Sequence, residues 1–515
     1  MLAIPVLSPA ESAAWDQDAE RAGILPVTLM ECAGRAAAAV VVARYRGNLS
    51  SGVIVAAGTG NNGGDGWVVA RALHRAGVPV WVAPLAGSGS ELQVHMAELA
   101  RTEGIRVVDA EGPWPGAGLT IDAILGTGAK GSPRPPAADL AARLHDLRVP
   151  VVALDGPTGV DLARGTTHGA AGADLSITFG GLRRGHVLAR DQVGAVVVVD
   201  IGHPPPRPEW PVVVTDRLAA TLLPSLKAKA HKGDRGRVVV IGGARGMTGA
   251  LRMAGRAAFA SGAGLVHVAG PETAIKTVRS ADPDLQTLVQ DFDSQPTEDL
   301  LALTRSADAV VVGPGLGRGP GRNPFLVPVL EAARRAVIDA DALIAFSSAI
   351  PRLRELGRGK QFVLTPHPGE FRTLFPDLAS GMEVDPWGAS TQAALEVGAT
   401  VLLKGVPTVV AGEGKPVLTV AAGNPGLATG GSGDVLAGLI ATFLAQGMEP
   451  QHAGALGAQV LGRSADLAAR RLTARALRPH DVVRAVPDLW RAWGVVRESS
   501  SVPPVLFELE RPERT

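Results

Sequence analysis

The sequence predicts an α/β fold in two successive domains, each built on a mostly parallel sheet, and three observations carry that prediction. Short β-branched runs alternate with Ala/Leu/Arg-rich helical segments throughout the 515 residues. Glycine-rich turns follow several of those runs directly, where an open α/β sheet places its ligand loops. A proline-rich break, HPPPRPEWP at His203–Pro211, separates two complete series of the pattern.

In the first series the strands are predicted at Gly52–Ala56, Val78–Ala83, Leu119–Ala123, Val149–Leu154, Leu175–Thr178 and Ala195–Val199. Helices at Gly66–Ala76 and Ala137–Leu147 connect them. The second series restarts with Arg237–Ile241 and continues through Val266–Ala269, Ala309–Val312, Ala336–Ile338, Phe362–Leu364 and Thr400–Leu403. Its last helical pattern ends near Trp493, and ESSSVPP and ELERPERT then read as a weakly ordered tail. The domains are therefore residues 1–215 and 222–493, followed by a tail over 494–515. At a prior of roughly 150 residues per domain this length is ample for two substantial cores.

Composition narrows the function. The 50 Lys+Arg and 49 Asp+Glu nearly cancel, so there is no basic footprint for nucleic acid or an anionic membrane. The single cysteine, Cys32, excludes an intramolecular disulfide and a cysteine-based zinc cluster within one chain; its helix-like setting predicts a buried thiol. The apolar run Ala36–Ala43 is too short to span a bilayer, and MLAIPVLSPAES has no positive segment leading into a long apolar core. A cytoplasmic protein that binds neither nucleic acid nor membrane is expected.

The first domain concentrates polar groups at strand ends. A glycine-rich turn, AGTGNNGGDG, follows the strand Gly52–Ala56 and opens a helix. Asp122 ends the strand of LTIDAILGTGAKG, and Asp155 ends that of VVALDGPTGVD. Each aspartate alone is read as well as a loop cap. Arriving together after parallel strands, they point to one crevice.

The second domain carries GNPGLATGGSGDVLAGL at Gly423–Leu439. Val435, Leu436, Leu439, Ile440, Phe443 and Leu444 recur at helical spacing, so Gly430, Gly431 and Gly433 lie before or in the first turn of a helix. Such a helix start presents unpaired N–H groups and suits an anion. Asp434 beside it is either a helix cap or a general base for a hydroxyl attacking a phosphoryl group.

In order and spacing, GNNGGDG, DAILGTG, LDGPTGVD and TFGGLRRG resemble the NAD(P)H-hydrate epimerases over residues 1–215. The resemblance implies a Rossmann-like three-layer domain. It implies that Asn61, Asn62, Gly63, Gly64 and Asp65 bind the hydrated nucleotide, and that Gly126, Thr127, Gly128, Ala129, Lys130, Gly131 and Ser132 contact its phosphates. Asp155 would be the acid/base at the hydrated ring, and Asn62, Asp122 and Thr158 would hold a potassium ion. Thr158 replaces the family's usual serine and Arg183 its usual lysine, while GTG at Gly58–Gly60 replaces the commoner GPG.

HKGDRGRVVVIGG, VVGPGLG, VIDADAL, LTPHPGEF, LLKGVPTVV and the NPG-x-ATGGSGDVL signature together resemble the ADP/ATP-dependent NAD(P)H-hydrate dehydratases, a branch of the ribokinase-like α/β fold, over about residues 222–493. That resemblance implies nucleotide binding by Lys404, Gly405, Val406, Pro407 and Thr408, and by Asn424, Gly430, Gly431, Ser432 and Gly433. Ala250, Gly317 and His367 would line the hydrate pocket with Asp434 as catalytic base; Met247 stands where the family often has an aromatic residue. The expected cofactors are K+ in the first domain and Mg2+ in the second, with ADP as co-substrate. Relatives form symmetric homo-oligomers, so one is expected here. The implied activity is repair of hydrated NADH and NADPH, by epimerising the R and S forms and dehydrating the S form. The alternative is a ribokinase-like small-alcohol kinase fused to a non-catalytic nucleotide- or partner-binding module.

Overall fold

The computed structural model describes residues 3–226, 228–319, 322–498 and 505–511. The chain divides into two units, with the division between Val212 and Val213; the C-terminal strand Val505–Leu509 belongs to the first.

The first unit opens with helices α1 (Pro9–Arg21) and α2 (Pro26–Tyr45). Next come β1 (Val53–Ala57), α3 (Asn61–Arg75), β2 (Val80–Pro84), α4 (Glu91–Thr102), β3 (Arg106–Val107) and β4 (Leu119–Ala123). The series finishes with α5 (Ala137–Asp146), β5 (Val151–Leu154), β6 (Leu175–Phe179) and β7 (Ala195–Val199). These strands lie parallel in the order β7-β6-β5-β4-β1-β2-β3, so the chain reverses its direction of travel between β1 and β4. Residues in β1, β4, β5 and β6 are buried on both faces, which is why they read as unbroken apolar runs rather than alternating ones. Leu29, Val41, Trp67, Leu73 and Met96 fill one core, and Leu140 and Leu144 of α5 pack with Ala56, Ala83 and Ile124 in another.

Two local differences from the sequence reading have simple causes. Helix α3 begins at Asn61 and not at Gly66, because Gly63 lets the first turn close against Gly58: a Cβ at Gly63 would fall 1.9 Å from the Gly58 carbonyl oxygen. Cys32 is exposed, not buried. The buried stripe of α2 runs through Leu29, Met30, Ala33, Ala37, Val40 and Val41, and Cys32 falls on its other side. Helix α2 is also long and apolar enough to cross a membrane by length and composition, but that stripe is part of the core.

The second unit contributes β8 (Arg237–Ile241), α6 (Thr248–Ala260), β9 (Leu265–Gly270), β10 (Gln286–Val289), β11 (Ala309–Val312), β12 (Arg335–Ile338) and β13 (Gln361–Leu364). It continues with α7 (Pro368–Leu374), β14 (Thr400–Leu403), β15 (Thr408–Ala411), β16 (Leu418–Val420), α8 (Ser432–Ala445) and α9 (Pro450–Leu472). From β10 the sheet runs β10-β9-β8-β11-β12-β13-β14 in parallel, then β15 and β16 extend it antiparallel. Strands β14 and β15 form a hairpin whose turn holds Lys404–Pro407, so the sheet itself carries that loop.

The tail expected over 494–515 is a correction. The last helix continues to Glu498, and β17 (Val505–Leu509) pairs antiparallel with β7. Phe507 and Leu509 are buried, and Arg511 bonds Asp174 at 2.8 Å. Alternating apolar residues find the open edge of β7, a partner that sequence separation hides. Residues 499–504 and 512–515 of that tail lie outside the described residues.

Candidate functional site

In the first unit a cavity of about 660 Å³ opens at the carboxyl ends of β1, β4 and β5, lined among others by Asn61, Asn62, Asp65, Gly126, Thr127 and Asp155. The sequence-predicted Gly128 and Ala129 also reach its wall, whereas Lys130, Gly131 and Ser132 lie beyond it along the same turn. Gly63 and Gly64 are buried inside α3 and shape the turn from behind.

Asp155 stands just after β5 with φ +61°, an uncommon backbone for a non-glycine residue. Three groups hold it there. His186 Nδ1 accepts the Arg183 N–H at 2.9 Å, which leaves Nε2–H to donate to the Asp155 carbonyl oxygen. The carboxylate accepts the Thr127 N–H at 2.6 Å and the Thr127 hydroxyl. Arg183 Nε lies 3.6 Å from Asp155 Oδ1 and donates to Thr127 Oγ1 at 3.1 Å. Burial pushes the Asp155 pKa up, but the Arg183 charge and the Thr127 bonds outweigh it and leave the carboxyl below its ordinary range. His186 is fully buried, and desolvation lowers its pKa to about 4, so it is a neutral donor at physiological pH. Asp65, half-buried in the same wall, goes the other way: burial and the charges of Asp155 and Asp16 raise it well above an ordinary carboxyl.

Asp122 and Thr158 are brought together behind this wall. Asp122 Oδ1 accepts from Thr158 Oγ1 at 2.8 Å and the Ile124 N–H at 3.1 Å, and Oδ2 accepts the Thr158 N–H at 2.8 Å. Both side chains are buried, and burial raises the Asp122 pKa despite those bonds. Asn62 has its side-chain oxygen and nitrogen buried with no hydrogen-bond partner among the described residues. A Cβ at Gly126 would lie 3.1 Å from Asp155 Oδ2 and 3.2 Å from Asn62 Cβ, so Asn62, Gly126 and Asp155 meet at one point.

His203 was legible only as part of the proline-rich break. It lines the cavity, stacks on Trp15 with ring centroids 4.2 Å apart, and bonds Asp16 at 2.9 Å. Trp15 in turn donates to the Pro204 carbonyl, so this segment is docked on α1 and forms wall rather than free linker.

In the second unit, α8 begins at Ser432 after Gly431, which has φ +103°. The N-cap position belongs to Gly431 and has no side-chain cap bond; Asp434 is the third helical residue and makes no hydrogen bond among the described residues. The cap reading of Asp434 therefore fails. Around it gather groups from four strand ends. Lys404 Nζ lies 2.9 Å from Asp339 Oδ1 and 3.6 Å from Glu370 Oε2. A Cβ at Gly433 would sit 3.4 Å from Lys404 Nζ and 3.7 Å from Asp339 Oδ2. Asp341 accepts the Gly317 N–H at 2.9 Å. Burial and the charges of Asp339 and Asp341 push Asp434 up to about 7, against the opposing pull of Lys404. Burial works against the charge of Lys404, but Asp339, Glu370 and Asp434 outweigh it and raise its pKa.

His367 caps α7: its Nδ1 accepts the Gly369 N–H at 2.9 Å, and Glu370 Oε2 accepts the His367 N–H at 2.9 Å. It is exposed at the mouth of the cluster, joined to it through Glu370. Ala250, on α6, packs beside Gly315, in the turn that also holds Gly317. Val406 is exposed, and Thr408 Oγ1 bonds the Gly405 carbonyl at 3.1 Å, closing the hairpin turn that also contains Pro407. Asn424 donates to Asp466 at 3.0 Å and accepts from Gly426 at 3.0 Å, so its side chain shapes the loop leading to Gly430 and Gly431. Asp339, Asp341 and Glu370 had no role in the sequence reading. Asp339 follows a parallel strand just as Asp155 does, which is the signal that identifies it.

Residues 27–185 match the family described as YjeF-related protein N-terminus, and residues 238–488 match the NAD(P)H-hydrate dehydratase family. Among curated proteins, the bifunctional NAD(P)H-hydrate repair enzyme Nnr of Salinibacter ruber is 36% identical over 94% of this chain and 95% of its own length. The Escherichia coli enzyme of that name is 35% identical over 90% of each chain. Among solved structures, the Bacillus subtilis ADP/ATP-dependent NAD(P)H-hydrate dehydratase co-crystallized with ATP/Mg2+ is 26% identical, covering 54% of this chain and 97% of that one with a TM-score of 0.49.

Proposed function

This chain belongs to the bifunctional NAD(P)H-hydrate repair enzymes, and on that premise we propose how its two sites divide the work. The first unit interconverts the R and S epimers of hydrated NADH and NADPH. The second dehydrates the S epimer at the expense of a nucleotide, with ADP as the donor. The observation that carries the dehydratase reading is Asp434: a carboxylate with no hydrogen bond among the described residues, in the first turn of a glycine-led helix, with its pKa pushed up to about 7.

In the dehydratase the first-turn N–H groups of α8 and the Lys404 ammonium face the nucleotide phosphates, where backbone donors and fixed charge stabilise developing negative charge. Asp434 takes the proton of the substrate's C6 hydroxyl as that oxygen attacks the terminal phosphorus, and AMP leaves. The ring nitrogen's lone pair then expels phosphate from C6, and loss of a C5 proton restores the dihydronicotinamide. A pKa near 7 lets Asp434 accept the proton and return it within the working pH range. Among the described residues no group of three or more His, Cys, Asp or Glu side chains is arranged to hold a metal. Mg2+ carried in on the nucleotide would use one or both of the Asp339 and Asp341 carboxylates, leaving Asp434 free as the base. Bound there, it would neutralise phosphate charge.

In the epimerase, two carboxyls in one cavity have pKa values pushed apart, the usual mark of separate acid and base roles. Asp65, its pKa raised by burial and by the charge of Asp155, gives a proton to the C6 hydroxyl as water departs and the ring nitrogen forms the iminium. The ionised Asp155 stabilises that cation and receives a proton when water adds to the other face. The potassium site also fits. Among the described residues Asn62 offers a buried oxygen without a partner, and Asp122 a buried carboxylate bonded to Thr158 and Ile124; both are hard oxygen donors. K+ held by Asn62, Asp122 and Thr158 would supply positive charge that keeps the turns at Asn61 and Gly126 in register.

A homo-oligomer is part of this reading, and light scattering tests it. The activity itself is tested by giving the purified protein mixed hydrate epimers with ADP, ATP or neither. Epimer equilibration without nucleotide, and recovery of NADH absorbance only with one, is expected. A stable phosphorylated product with no NADH recovery would overturn the dehydratase assignment.

A further inference from the structure

The loop that leads into α8 stands open at its tip: Thr429 and Gly430 are exposed, and a Cβ at Gly430 would meet no atom within 4 Å. Its base is tied instead to the middle of α9. Asp466 Oδ1 accepts the Asn424 Nδ2–H at 3.0 Å, and Oδ2 accepts the Gly423 N–H at 3.3 Å. Asn424 Oδ1 in turn accepts the Gly426 N–H at 3.0 Å and caps the short turn Pro425–Leu427. Thr429 Oγ1 donates to the Gly426 carbonyl at 3.4 Å and meets Ser432 Oγ, in the first turn of α8, at 3.3 Å. A chain of hydrogen bonds thus runs from α9 to the start of the glycine-led helix.

Backbone contact supports the same link. A Cβ at Gly462 would fall 2.5 Å from the Ala422 carbonyl oxygen, and one at Gly423, where φ is +113°, 3.4 Å from Gly462 Cα. Glycine on both sides lets α9 come close enough for Asp466 to reach the loop. Asp466 is itself held in place. Arg463 Nη1 lies 3.6 Å from its Oδ2, and Arg463 Nε donates to Asp216 Oδ1 at 2.9 Å, the oxygen that also accepts from Gln459 at 2.7 Å. Gln459, Arg463 and Asp466, spaced by four and three residues, form one polar row along α9.

We propose that Asp466 is a positioning residue for the nucleotide. Through Asn424 it sets the course of the loop and the direction of the N–H groups that face the phosphates, and Asn424 serves this link rather than touching the nucleotide. The inference rests on the dehydratase reading above and adds what aims its anion site. The body of α8 is held separately by its buried Val435, Leu436 and Leu439, so loosening the link displaces the loop and leaves Asp434 in place.

The test makes near-isosteric changes on the full chain. It reads ADP affinity with Mg2+ by titration calorimetry, beside the dehydration KM values for ADP and for hydrated NADH. Asp466→Asn leaves one acceptor for two donors, and the Kd for ADP should rise about tenfold. Asn424→Asp sets two carboxylates against each other across a 3.0 Å contact and should raise the Kd at least as much. Combined, the two changes exchange donor and acceptor across the same pair and restore all three hydrogen bonds. The Kd should then return to within about threefold of wild type. The KM for ADP should follow the Kd, while the KM for the hydrate at saturating ADP stays within about twofold. A direct contact between Asn424 and the phosphates gives the opposite result: the new carboxylate repels them, and the combined variant binds as weakly as Asn424→Asp alone. That outcome, or an unchanged Kd in Asp466→Asn, overturns the positioning role. An equal rise in the KM for the hydrate overturns it too, since it marks general loosening of the unit. A wild-type chain that binds no ADP overturns it together with the dehydratase reading.

Discussion

Asp434→Asn should make the dehydratase slower and its fold more stable. The carboxyl's pKa is pushed to about 7 from an ordinary 3.8, chiefly by burial and by Asp339. A shift of about three units corresponds to about 4 kcal/mol at roughly 1.4 kcal/mol per unit. Partial exposure of the side chain discounts this to roughly 2–4 kcal/mol. Because the folded pKa lies above the unfolded one, the fold binds more protons between pH 4 and 7. Wild-type stability is therefore lost as pH rises through that window and stays low above it. Asparagine removes the burden: at pH 8 the second unit should melt roughly 5–10 °C higher, at about 2–4 °C per kcal/mol, and at pH 5 less than half as much higher. Its transition is identified as the one that ADP shifts upward. Turnover should fall roughly 10²–10⁴-fold, and wild-type dehydration should rise with pH through about 7. Calorimetry at the two pH values beside NADH recovery measures both effects. A variant that turns over normally, or gains the same stability at both pH values, would refute the assignment of a desolvated base.

Three other perturbations separate the remaining roles. Asp122→Ala should abolish the dependence of epimer exchange on potassium and slow it at least tenfold while dehydration stays within about twofold; exchange measured with and without potassium chloride decides it. Lys404→Met removes the charge that opposes the upward shift of Asp434, so the midpoint of the dehydration pH profile should move up by about one unit and ADP bind more weakly. An unmoved midpoint would mean that the lysine does not face the base. His186→Gln should slow epimerisation by loosening Asp155. Because the His186 pKa is depressed to about 4, first-unit stability in the wild type is lost as pH falls from about 6.5 toward 4, and the variant should lose about one proton's worth of that slope in denaturant titrations.

Much of the architecture was readable because its strands are β-branched runs bounded by breakers. Leu119–Ala123, Ala195–Val199, Arg237–Ile241, Ala309–Val312 and Thr400–Leu403 coincide with their predicted limits. Gln286–Val289 escaped because it is a half-exposed edge with no apolar run, and the hairpin of Thr408–Ala411 and Leu418–Val420 because turn residues surround short strands. The start of α3 was missed because glycine's poor helix propensity conceals a tertiary reason for glycine, the contact of Gly63 with Gly58. At the sites, glycine–aspartate motifs announced Asp155 and Asp434, since both lie within the turns they serve. Sequence proximity could not announce that Lys404 sits between Asp339 and Glu370, or that Asp155 is steadied by His186. Those partnerships join residues 31 to 65 positions apart.

The strand β17 has a consequence for the order in which the protein is made. Its partner β7 ends at Val199, yet Val505–Leu509 emerges from the ribosome only after the whole second unit has been synthesised. At about 5–20 residues per second, those roughly 300 residues take about 15–60 s. Throughout that interval β7, a strand of alanine and four valines, keeps one edge open for pairing. The first unit thus completes its sheet last although its chain is made first, and the nascent polypeptide is most exposed to edge-to-edge association while the second unit is being translated.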